Sequence, residues 1–188
     1  DLAFKYFKKP IINALSDLSH PCQAISDIFT LRNHFERDDG FNIVWLGDLN
    51  NVLFSLLESI EFLDSSKIDV FTDKKIYEKN HHNFPKLNNI SYHFEMDDKI
   101  LEIADCVMTD VFNSMNDKDD KEDLLKKFMV DQDLMKKTPN TAVFMHCLPA
   151  KIGSEVSNDV IKGSKSIVIK QAKNRMVVQR GIMKWLGL

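Results

Sequence analysis

A histidine and a cysteine stand side by side at the end of an apolar run in the second half of the chain. The run TAVFM (141–145) leads directly into the tetrapeptide HCLP (146–149). The run is typical of a buried strand, and open α/β sheets bind ligands beyond the carboxyl ends of their strands. A thiol at such a place could act as a nucleophile if a base lowers its pKa. Because successive strand residues point to opposite faces, His146 is disfavoured as the base for Cys147.

Three further polar clusters also fall at the ends of predicted strands or helices. They are HPCQ (20–23), DLNN (48–51) and DVFNSM (110–115). His20 precedes a helix that Pro21 can begin, so the free N–H groups of the first turn would favour an anion there. Gln23 lies one turn along that helix and could face the same ligand.

The second and third clusters each leave two interpretations open. Asn50 and Asn51 precede a helix, where an amide side chain can either cap the helix or contact a ligand. Asp110 follows a strand, where a carboxylate can bind a cationic amine or bond to its own backbone in a turn. Ser114 and Met115 follow Asp110 in the same loop.

Arginine is rare in this chain, so each guanidinium is worth considering as an anion ligand. The four arginines are Arg32, Arg37, Arg175 and Arg180. Arg175 opens the last predicted helix, where it could hold a phosphate group, polarise a carbonyl or simply lie on the surface.

Strand-like and helix-like segments alternate along the chain. Six short apolar runs, rich in β-branched and aromatic residues, predict strands at 41–46, 67–71, 90–95, 105–109, 141–145 and 165–169. Helical spacing of apolar residues predicts helices at 21–35, 50–63, 119–137 and 171–186. This alternation predicts an α/β fold with a doubly wound, parallel, Rossmann-like sheet of about five strands flanked by helices. Because no GxGxxG fingerprint accompanies it, dinucleotide binding has little support.

The composition excludes several classes of protein. The 188 residues are 44% hydrophobic and carry a net charge of −3, which fits a globular domain and gives no electrostatic footprint for nucleic acid. No apolar run is long enough for a membrane span, and the three cysteines form no disulfide framework, which suits a reducing compartment. The chain opens on DLAF (1–4) without an initiator methionine, and we expect it to be a fragment of a longer protein.

Taken together, the clusters resemble the transcarbamylase family, and in particular its ornithine branch. The matching segments are LSDLSHPCQAISDIFTL (15–31), WLGDLNNVLFSLL (45–57), ADCVMTDVFNSM (104–115), VFMHCLP (143–149) and AKNRM (172–176). They occur in the family's order and span nearly the whole chain. HPCQ is shared across transcarbamylases, whereas the loop that begins at Asp110 and the HCLP tetrapeptide are more specific to the ornithine branch.

The resemblance implies transfer of a carbamoyl group from carbamoyl phosphate to the side-chain amine of L-ornithine, giving citrulline and phosphate in arginine biosynthesis or the urea cycle. The catalytic residues that it implies are His20, Cys147 and Arg175. His20, Gln23, Cys147, Leu148 and Arg175 would contact carbamoyl phosphate, and Asn51, Asp110, Ser114 and Met115 would bind ornithine. Asp110 would face the α-ammonium group, and Cys147 would lie beside the side-chain amine.

The resemblance also implies an architecture. Residues 1–37 would form the end of a carbamoyl-phosphate domain and an interdomain helix, 38–170 the ornithine-binding domain, and 171–188 a C-terminal helix that packs back toward the first domain. Such enzymes are usually homotrimers of the cytoplasm, or of the mitochondrial matrix in eukaryotes, and they require no metal or organic cofactor. Neither nucleic acid nor a membrane is an expected partner.

Three departures from the family pattern bear on this interpretation. The family's Ser-x-Arg-Thr phosphate loop does not occur in the chain. Many relatives carry an arginine near position 152, where this chain has Ile152. Relatives usually have glutamate at the position of Lys173. Two alternatives therefore stay open: a transcarbamylase for another amine, such as putrescine or an acylated ornithine, and a truncated homologue without catalytic activity. The loop DVFNSM favours ornithine, because Asp110 needs an α-ammonium group to face.

Overall fold

The computed structural model describes residue 6 and residues 9–113 and 120–188. Within them, five short strands form one sheet in which every pair of neighbours is parallel. The strands are β1 (Asn42–Leu46), β2 (Lys67–Phe71), β3 (Ile90–His93), β4 (Cys106–Thr109) and β5 (Val143–His146). Their order across the sheet is β3-β2-β1-β4-β5, so the chain builds outward from β1 first to one side and then to the other. This is the predicted doubly wound α/β sheet.

Helices connect the strands and cover the sheet. The described helices are α1 (Pro21–Phe35), α2 (Asn51–Ser59), α3 (Lys74–Asn80), α4 (Asp98–Leu101), α5 (Glu122–Leu125), α6 (Gln132–Lys136), α7 (Asn158–Ile161) and α8 (Val168–Trp185). Short 3-10 turns follow α2 at Ile60–Phe62, α3 at His81–Asn83 and α5 at Lys126–Phe128. The start of α1 at Pro21 is as predicted, because the N–H group that proline lacks would be unpaired there anyway. None of the described helices has the length and apolar character needed to cross a lipid bilayer.

The core lies on both faces of the sheet, and its centre is formed by β1 and β4. The side chains of Ile43, Trp45 and Val107 on these strands are completely buried. Burial of one large apolar side chain contributes about 1.5–3 kcal/mol, so the two central strands form a firm base for the loops beyond them. The indole N–H of Trp45 donates to the carbonyl of Asp48 at 3.1 Å, which ties the end of β1 to the loop that follows.

The predicted strand at 165–169 is wrong. Ser166 makes a single parallel bridge to Phe144, and α8 begins two residues later at Val168. A short apolar run fits a buried strand and the start of a helix equally well by its periodicity. A strand covered on both faces would bury each of its residues, whereas here Val168 is buried and Ile169 is exposed.

The predicted helix at 119–137 is only partly correct. It is broken into α5 and α6, because the chain between them is extended at Val130, which bridges to Val156. Asp131 then starts a new helix, since its carboxylate accepts a hydrogen bond from the N–H of Leu134 at 2.8 Å.

Candidate functional site

Polar side chains gather at the carboxyl ends of three neighbouring strands, where the winding of the sheet reverses. β1 is followed by Asp48 and Asn50, β4 by Asp110, and β5 by Cys147. Because the chain leaves β1 and β4 toward opposite sides of the sheet, a crevice opens between their ends, and doubly wound sheets bind ligands there. A cavity of about 320 Å³ lies here, and Asp48, Asn50 and Asn51 contribute to its lining.

Gly47 allows the ends of β1 and β4 to pack closely. Its φ of +131° lies in the region that favours glycine, and an added Cβ would lie 3.2 Å from the ring of Phe112. Phe112, just beyond β4, is itself buried. A residue with a side chain at position 47 would therefore strain the backbone where the loop that carries Asp48 begins.

Both carboxylate oxygens of the buried Asp110 are held by neighbouring side chains. Oδ2 accepts a hydrogen bond from the side-chain amide of Asn50 at 2.8 Å, and Oδ1 accepts one from the thiol of Cys147 at 3.0 Å. Asn50 is fixed in turn because its carbonyl oxygen caps α2 by accepting from the N–H groups of Val52 and Leu53. The helix cap thus directs the amide N–H of Asn50 toward Asp110 and holds the carboxylate at the crevice.

The side chain of Cys147 is a thiol and not a thiolate. Burial and then the negative charge of Asp110 raise its pKa well above the usual range, and the charge of Arg175 opposes them only in part. His146 is engaged elsewhere: its Nε2 lies 3.2 Å from Oε1 of Glu155, and its Nδ1 accepts from the N–H of Leu148 at 2.9 Å. This geometry argues against a Cys-His nucleophile, as strand alternation predicts.

His20 is buried at the start of α1, next to α2. Its backbone N–H donates to the hydroxyl of Ser55 at 2.7 Å, and its Nδ1 is buried with no hydrogen-bond partner among the described residues. Burial and then the positive charge of Arg175 lower the pKa of His20 below its usual value. The imidazole is therefore predominantly neutral at pH 7, and a neutral imidazole can donate a hydrogen bond to a ligand oxygen.

Arg175 of the last helix, α8, belongs to the same site. It is half-buried on α8. Its charge lowers the pKa of His20 together with burial, and it opposes burial and Asp110 at Cys147, whose pKa they raise. α8 packs along α1, and Asn174 of α8 donates to Oγ1 of Thr30 on α1 at 2.8 Å. The first and last described long helices thus place their polar groups together although they are far apart in sequence.

Polar side chains, all buried except that of the half-buried Asn174, join α1 to α8 along a line that we call the polar seam. It comprises Gln23, Ser26, Asp27 and Thr30 of α1, and Gln171 and Asn174 of α8. Oδ1 of Asp27 accepts from Nε2 of Gln23 and from Nε2 of Gln171, each at 2.7 Å. Oε1 of Gln171 accepts from the backbone N–H of His146 at 3.0 Å. The seam therefore links α1 and α8 to the end of β5.

The other predicted site residues fall in different places. Ser114 and Met115 lie outside the described residues. Asn51 is the first residue of α2, and its amide donates to the carbonyl of Ser16 at 2.7 Å. Leu148 has a φ of +59°, an uncommon conformation for a residue other than glycine and one that recurs at functional sites.

The sequence analysis left the role of one polar residue of this region open and missed two others. Asn50 serves both as the cap of α2 and as the partner of Asp110, whereas the sequence left the cap and the ligand contact as alternatives. Asp27 and Gln171 were not singled out at all. The signal for Asp27 was the recurrence of polar residues at positions 23, 26, 27 and 30, which is the spacing of one helix face.

Asp110, His146 and Cys147 each offer a potential metal-ligand atom within 4.8 Å of the other two. Both ring nitrogens of His146 are already engaged by Glu155 and Leu148, and the pKa of Cys147 is raised, which disfavours the thiolate that a metal needs. The three side chains thus form part of a hydrogen-bonded network that does not fit a metal ion in this arrangement.

A larger cavity within the described ranges lies elsewhere. It has a volume of about 840 Å³ and is lined mainly by apolar side chains, including Ile25, Ile28, Phe29 and Phe62. None of the predicted site residues lines it, and its charged lining residues are Arg32, Glu58 and Glu61. The predicted site residues are therefore not part of this cavity.

The fold and the position of the polar groups define a class: α/β ligand-binding domains whose site lies at the switch point of a doubly wound sheet. Residues 39–186 match the family model for the Asp/Orn binding domain of aspartate/ornithine carbamoyltransferase. The chain belongs to the aspartate/ornithine carbamoyltransferase family, as its sequence motifs indicate.

Similar proteins align with nearly the whole chain. The chain is 37% identical over 180 residues to an ornithine carbamoyltransferase of Nitrobacter winogradskyi, an alignment that covers 94% of the chain and 58% of the relative. For an ornithine carbamoyltransferase of Methanocaldococcus jannaschii the identity is also 37%, over 196 residues, with 97% and 63% covered. The structure of ornithine carbamoyltransferase from Burkholderia thailandensis superposes with a TM-score of 0.86 at 30% identity, covering 97% of this chain and 60% of that one.

A second solved structure, ornithine carbamoyltransferase from Thermus thermophilus, superposes with a TM-score of 0.84 at 32% identity and covers 98% of this chain and 61% of that one. The chain spans between 58% and 63% of the length of these four relatives.

Proposed function

We propose that the protein containing this chain transfers a carbamoyl group from carbamoyl phosphate to the side-chain amine of L-ornithine, giving L-citrulline and phosphate. The observation that carries the proposal is the convergence of three distant parts of the chain. The charge of Arg175 on α8 acts on His20, before α1, and on Cys147, beyond β5. Membership of the family, and 37% identity to proteins named ornithine carbamoyltransferase, support the assignment.

The carbamoyl half of the reaction needs a polarised carbonyl group. The neutral amine attacks the carbonyl carbon, the bond from that carbon to the phosphate oxygen breaks, and the amine loses a proton. Negative charge develops on the carbonyl oxygen, and in this proposal Arg175 and the neutral His20 donate hydrogen bonds to it. Gln23, Cys147 and the backbone carbonyl of Leu148 surround the NH₂ end of the carbamoyl group.

The ornithine half of the proposal depends on Asp110. Its carboxylate is buried and held by Asn50 and Cys147, and no cationic side chain in the described ranges forms an ion pair with it. A buried carboxylate is costly without a positive partner, so the ammonium group of an amino acid fits this position. Asn51, together with Ser114 and Met115 of the loop beyond Asp110, completes the proposed ornithine site.

The contact between Cys147 and Asp110 refines the roles of the two side chains. Their Sγ and Oδ1 atoms lie 3.0 Å apart, so a group beside the thiol is also within reach of the carboxylate. Asp110 can therefore act on the side-chain amine as well as on the α-ammonium group. The raised pKa of Cys147 fits a neutral thiol that positions the amine and does not attack the substrate.

We further propose the domain division implied by the family: residues 1–37 end a carbamoyl-phosphate domain, 38–170 bind ornithine, and 171–188 return toward the first domain. The family match that begins at residue 39 supports the first boundary. The phosphate group needs donors of its own, and the Ser-x-Arg-Thr loop does not occur in this chain. Those donors come from a carbamoyl-phosphate domain, in the same subunit or in a neighbouring subunit of a homotrimer.

A transfer assay tests the proposal. The purified 188-residue chain, supplied with ornithine and carbamoyl phosphate, should form little citrulline, because loss of even one preorganised donor typically costs about 100- to 1000-fold in rate. Supplying the carbamoyl-phosphate domain, covalently or from a neighbouring subunit, should restore citrulline formation. A complete protein that forms no citrulline would refute the proposed function, and rapid turnover by the chain alone would refute the division between domains.

Substitution of Asp110 tests the amine site. Asp110→Asn should weaken ornithine binding by about 2–5 kcal/mol, because it removes one partner of a desolvated charge pair, and should affect carbamoyl phosphate much less. Titration with norvaline, which keeps the α-ammonium group but lacks the side-chain amine, separates the two possible contacts. If Asp110→Asn leaves the affinity for norvaline unchanged, Asp110 does not bind the α-ammonium group. Asp69→Asn is the matched control, since Asp69 pairs with His93 on the other side of the sheet.

The alternative substrates can be tested in the same assay. Putrescine keeps an ammonium group at the position of the α-ammonium group of ornithine but lacks the α-carboxylate, whereas an acylated ornithine keeps the α-carboxylate and lacks the charged α-ammonium group. The acylated ornithine should be a poor acceptor if Asp110 binds a charged α-ammonium group, and putrescine tests the contribution of the α-carboxylate. Faster carbamoylation of either compound than of ornithine would favour that compound as the substrate.

A further inference from the structure

The carboxylate of Asp27 has no role in the proposed reaction as described so far. It is completely buried on α1, and its hydrogen bonds come from two neutral amides, those of Gln23 and Gln171. A buried carboxylate without a cationic partner is a costly way to join two helices, and apolar side chains of the same size would join them at least as stably. Stability alone therefore does not explain why a carboxylate lies at this position.

The two hydrogen bonds of Asp27 determine which way the amide of Gln23 faces. A side-chain amide has an NH₂ end that donates and a carbonyl end that accepts. Oδ1 of Asp27 is an acceptor whether the carboxyl group is ionised or carries its proton on Oδ2, so the NH₂ end of Gln23 must face it. The carbonyl oxygen Oε1 of Gln23 is then turned away, and it is buried with no hydrogen-bond partner among the described residues.

An unpaired buried acceptor is costly unless a ligand supplies a donor. Gln23 lies one turn of α1 from His20, so its free oxygen belongs to the same end of the helix as the proposed carbamoyl site. The ligand group that fits a lone acceptor there is an N–H donor. A flipped Gln23 amide would instead present its NH₂ group. It could not form a hydrogen bond with the NH₂ of a carbamoyl group, because both groups are donors.

We infer that Asp27 is a positioning residue: it fixes the amide of Gln23 so that the site recognises the NH₂ group of a carbamoyl ligand and discriminates against the methyl group of an acetyl ligand. This inference rests on the proposed function, because it takes carbamoyl phosphate as the ligand. Asp27 acts through Gln23, whose carbonyl oxygen makes the contact. Only a carbamoyl group offers that oxygen a donor.

Through Gln171, Asp27 also affects the part of the site that follows β5. Its NH₂ group donates to the same oxygen of Asp27, so its own Oε1 is directed to the backbone N–H of His146. His146 immediately precedes Cys147 and Leu148. One carboxylate oxygen thus sets the orientation of Gln23 and the position of the turn after β5 relative to it.

Competition between carbamoyl phosphate and acetyl phosphate in the complete protein tests the inference. Acetyl phosphate has a methyl group where carbamoyl phosphate has NH₂, so the ratio of their inhibition or binding constants reports the contact with Gln23. Asp27→Leu, which is close to aspartate in size and has no acceptor, should reduce the preference for carbamoyl phosphate by about tenfold or more. Asp27→Asn keeps an acceptor oxygen for both glutamines and should retain the preference.

Ser26→Ala is the matched control for these variants. Ser26 is buried on the same seam, but its hydroxyl donates only weakly, at 3.5 Å, to the backbone carbonyl of Gln171, and it contacts neither glutamine amide. The preference should be unchanged in this variant. A folded Asp27→Leu variant that discriminates as the wild type does would overturn the inference. An Asp27→Asn variant that loses the preference as fully as Asp27→Leu would also overturn it, because the effect would then follow charge and not amide orientation.

A second measurement decides the matter if Asp27→Leu does not fold. Because Gln23 and Gln171 donate to one oxygen, their NH₂ protons should give a nuclear Overhauser effect in the unaltered protein, and its absence would overturn the assigned orientation. The effect requires no activity. A protein that shows it and prefers carbamoyl over acetyl phosphate, but forms no citrulline, would refute the proposed function and leave the role of Asp27 intact.

Discussion

The neighbouring helices α1 and α2 are buried in opposite ways. The buried residues of α2 are Val52, Leu53, Ser55, Leu56 and Leu57, which are apolar apart from one serine. Those of α1 are Cys22, Gln23, Ala24, Ser26, Asp27, Thr30 and Leu31, of which four are polar or charged. An apolar interface is stable in many closely similar arrangements, whereas a polar one is satisfied only when each donor meets its acceptor. α2 therefore stabilises the sheet, and α1 fixes the direction of the groups that the proposed reaction uses.

The comparison predicts that stability and activity can be lost separately. The largest expected effect is on activity, at Arg175 of α8, next to the seam in sequence. Arg175→Ala should lower turnover of the complete protein by about 100- to 1000-fold, because it removes a donor to the developing oxyanion. The melting temperature should change little, since Arg175 is only half-buried. Arg180→Ala, at an exposed position of the same helix, is the control, and an equal loss of turnover in both variants would contradict the prediction.

Truncation in α2 should produce the converse result. Leu56→Ala should lower the free energy of unfolding by about 2–5 kcal/mol, because Leu56 is completely buried and its truncation leaves a cavity. Urea denaturation of the chain measures this, with Phe62→Ala as the control because Phe62 is 79% exposed. Turnover per folded molecule should stay the same. A large loss of turnover at full folding would show that α2 also positions the site.

The pH dependence of stability should distinguish α1 from α2. Burial raises the pKa of Asp27 from 3.8 to about 7, against the opposing hydrogen bonds of Gln171 and Gln23. Between about pH 4 and 7 the native state keeps a proton that the unfolded chain releases, so this group makes the protein less stable as the pH rises through that window. Asp27→Asn removes the effect and should be more stable than the wild type at pH 8, by an amount on the order of a few kcal/mol. Urea denaturation at pH 4.5 and pH 8 measures it, and an equal difference at both pH values would be the contrary result.

The smallest expected effect concerns a hydrogen bond of the seam that does not involve Gln23. Thr30→Val removes the acceptor of the Asn174 amide and should destabilise the fold by about 0.5–1.5 kcal/mol. Discrimination between carbamoyl and acetyl phosphate should be unchanged, because Asp27 still holds both glutamines. Thermal unfolding and the competition assay together check this. A loss of discrimination would show that the whole seam, and not Asp27 alone, orients Gln23.

The sequence predicted the elements whose structure is determined locally. Pro21 marked the start of α1, and the alternation of apolar runs with helical patterns predicted the doubly wound sheet. The sequence-based prediction failed where a residue distant in the chain determines the local structure. Ser166 makes one bridge to Phe144, and the chain then continues into a helix at Val168. The polar spacing around Asp27 gave no sign of its partner, because Gln171 lies 144 residues away.

The same distinction holds for the candidate site. The residue types of His20, Asp110, Cys147 and Arg175 were readable from motifs, and the structure brings all four to one end of the sheet. The pairing of Asp110 with Asn50 was not readable, because a capping asparagine gives no sign of what its NH₂ group contacts. The roles of Ser114 and Met115 stay predictions from the motif, since both lie outside the described residues.

The bridge at Ser166 also governs how the sheet meets other molecules. An outer strand normally leaves a row of N–H and C=O groups open to intermolecular strand pairing. On β5 the N–H of Phe144 donates to Lys165 at 2.8 Å and its C=O accepts from Ile167 at 3.0 Å, so a short stretch of chain blocks this edge against aggregation. β3, the outer strand on the opposite side, has no such bridge in the described part of the chain. Fibril growth or strand exchange would therefore start from β3, and variants that seek to suppress it should place a charge or a proline there.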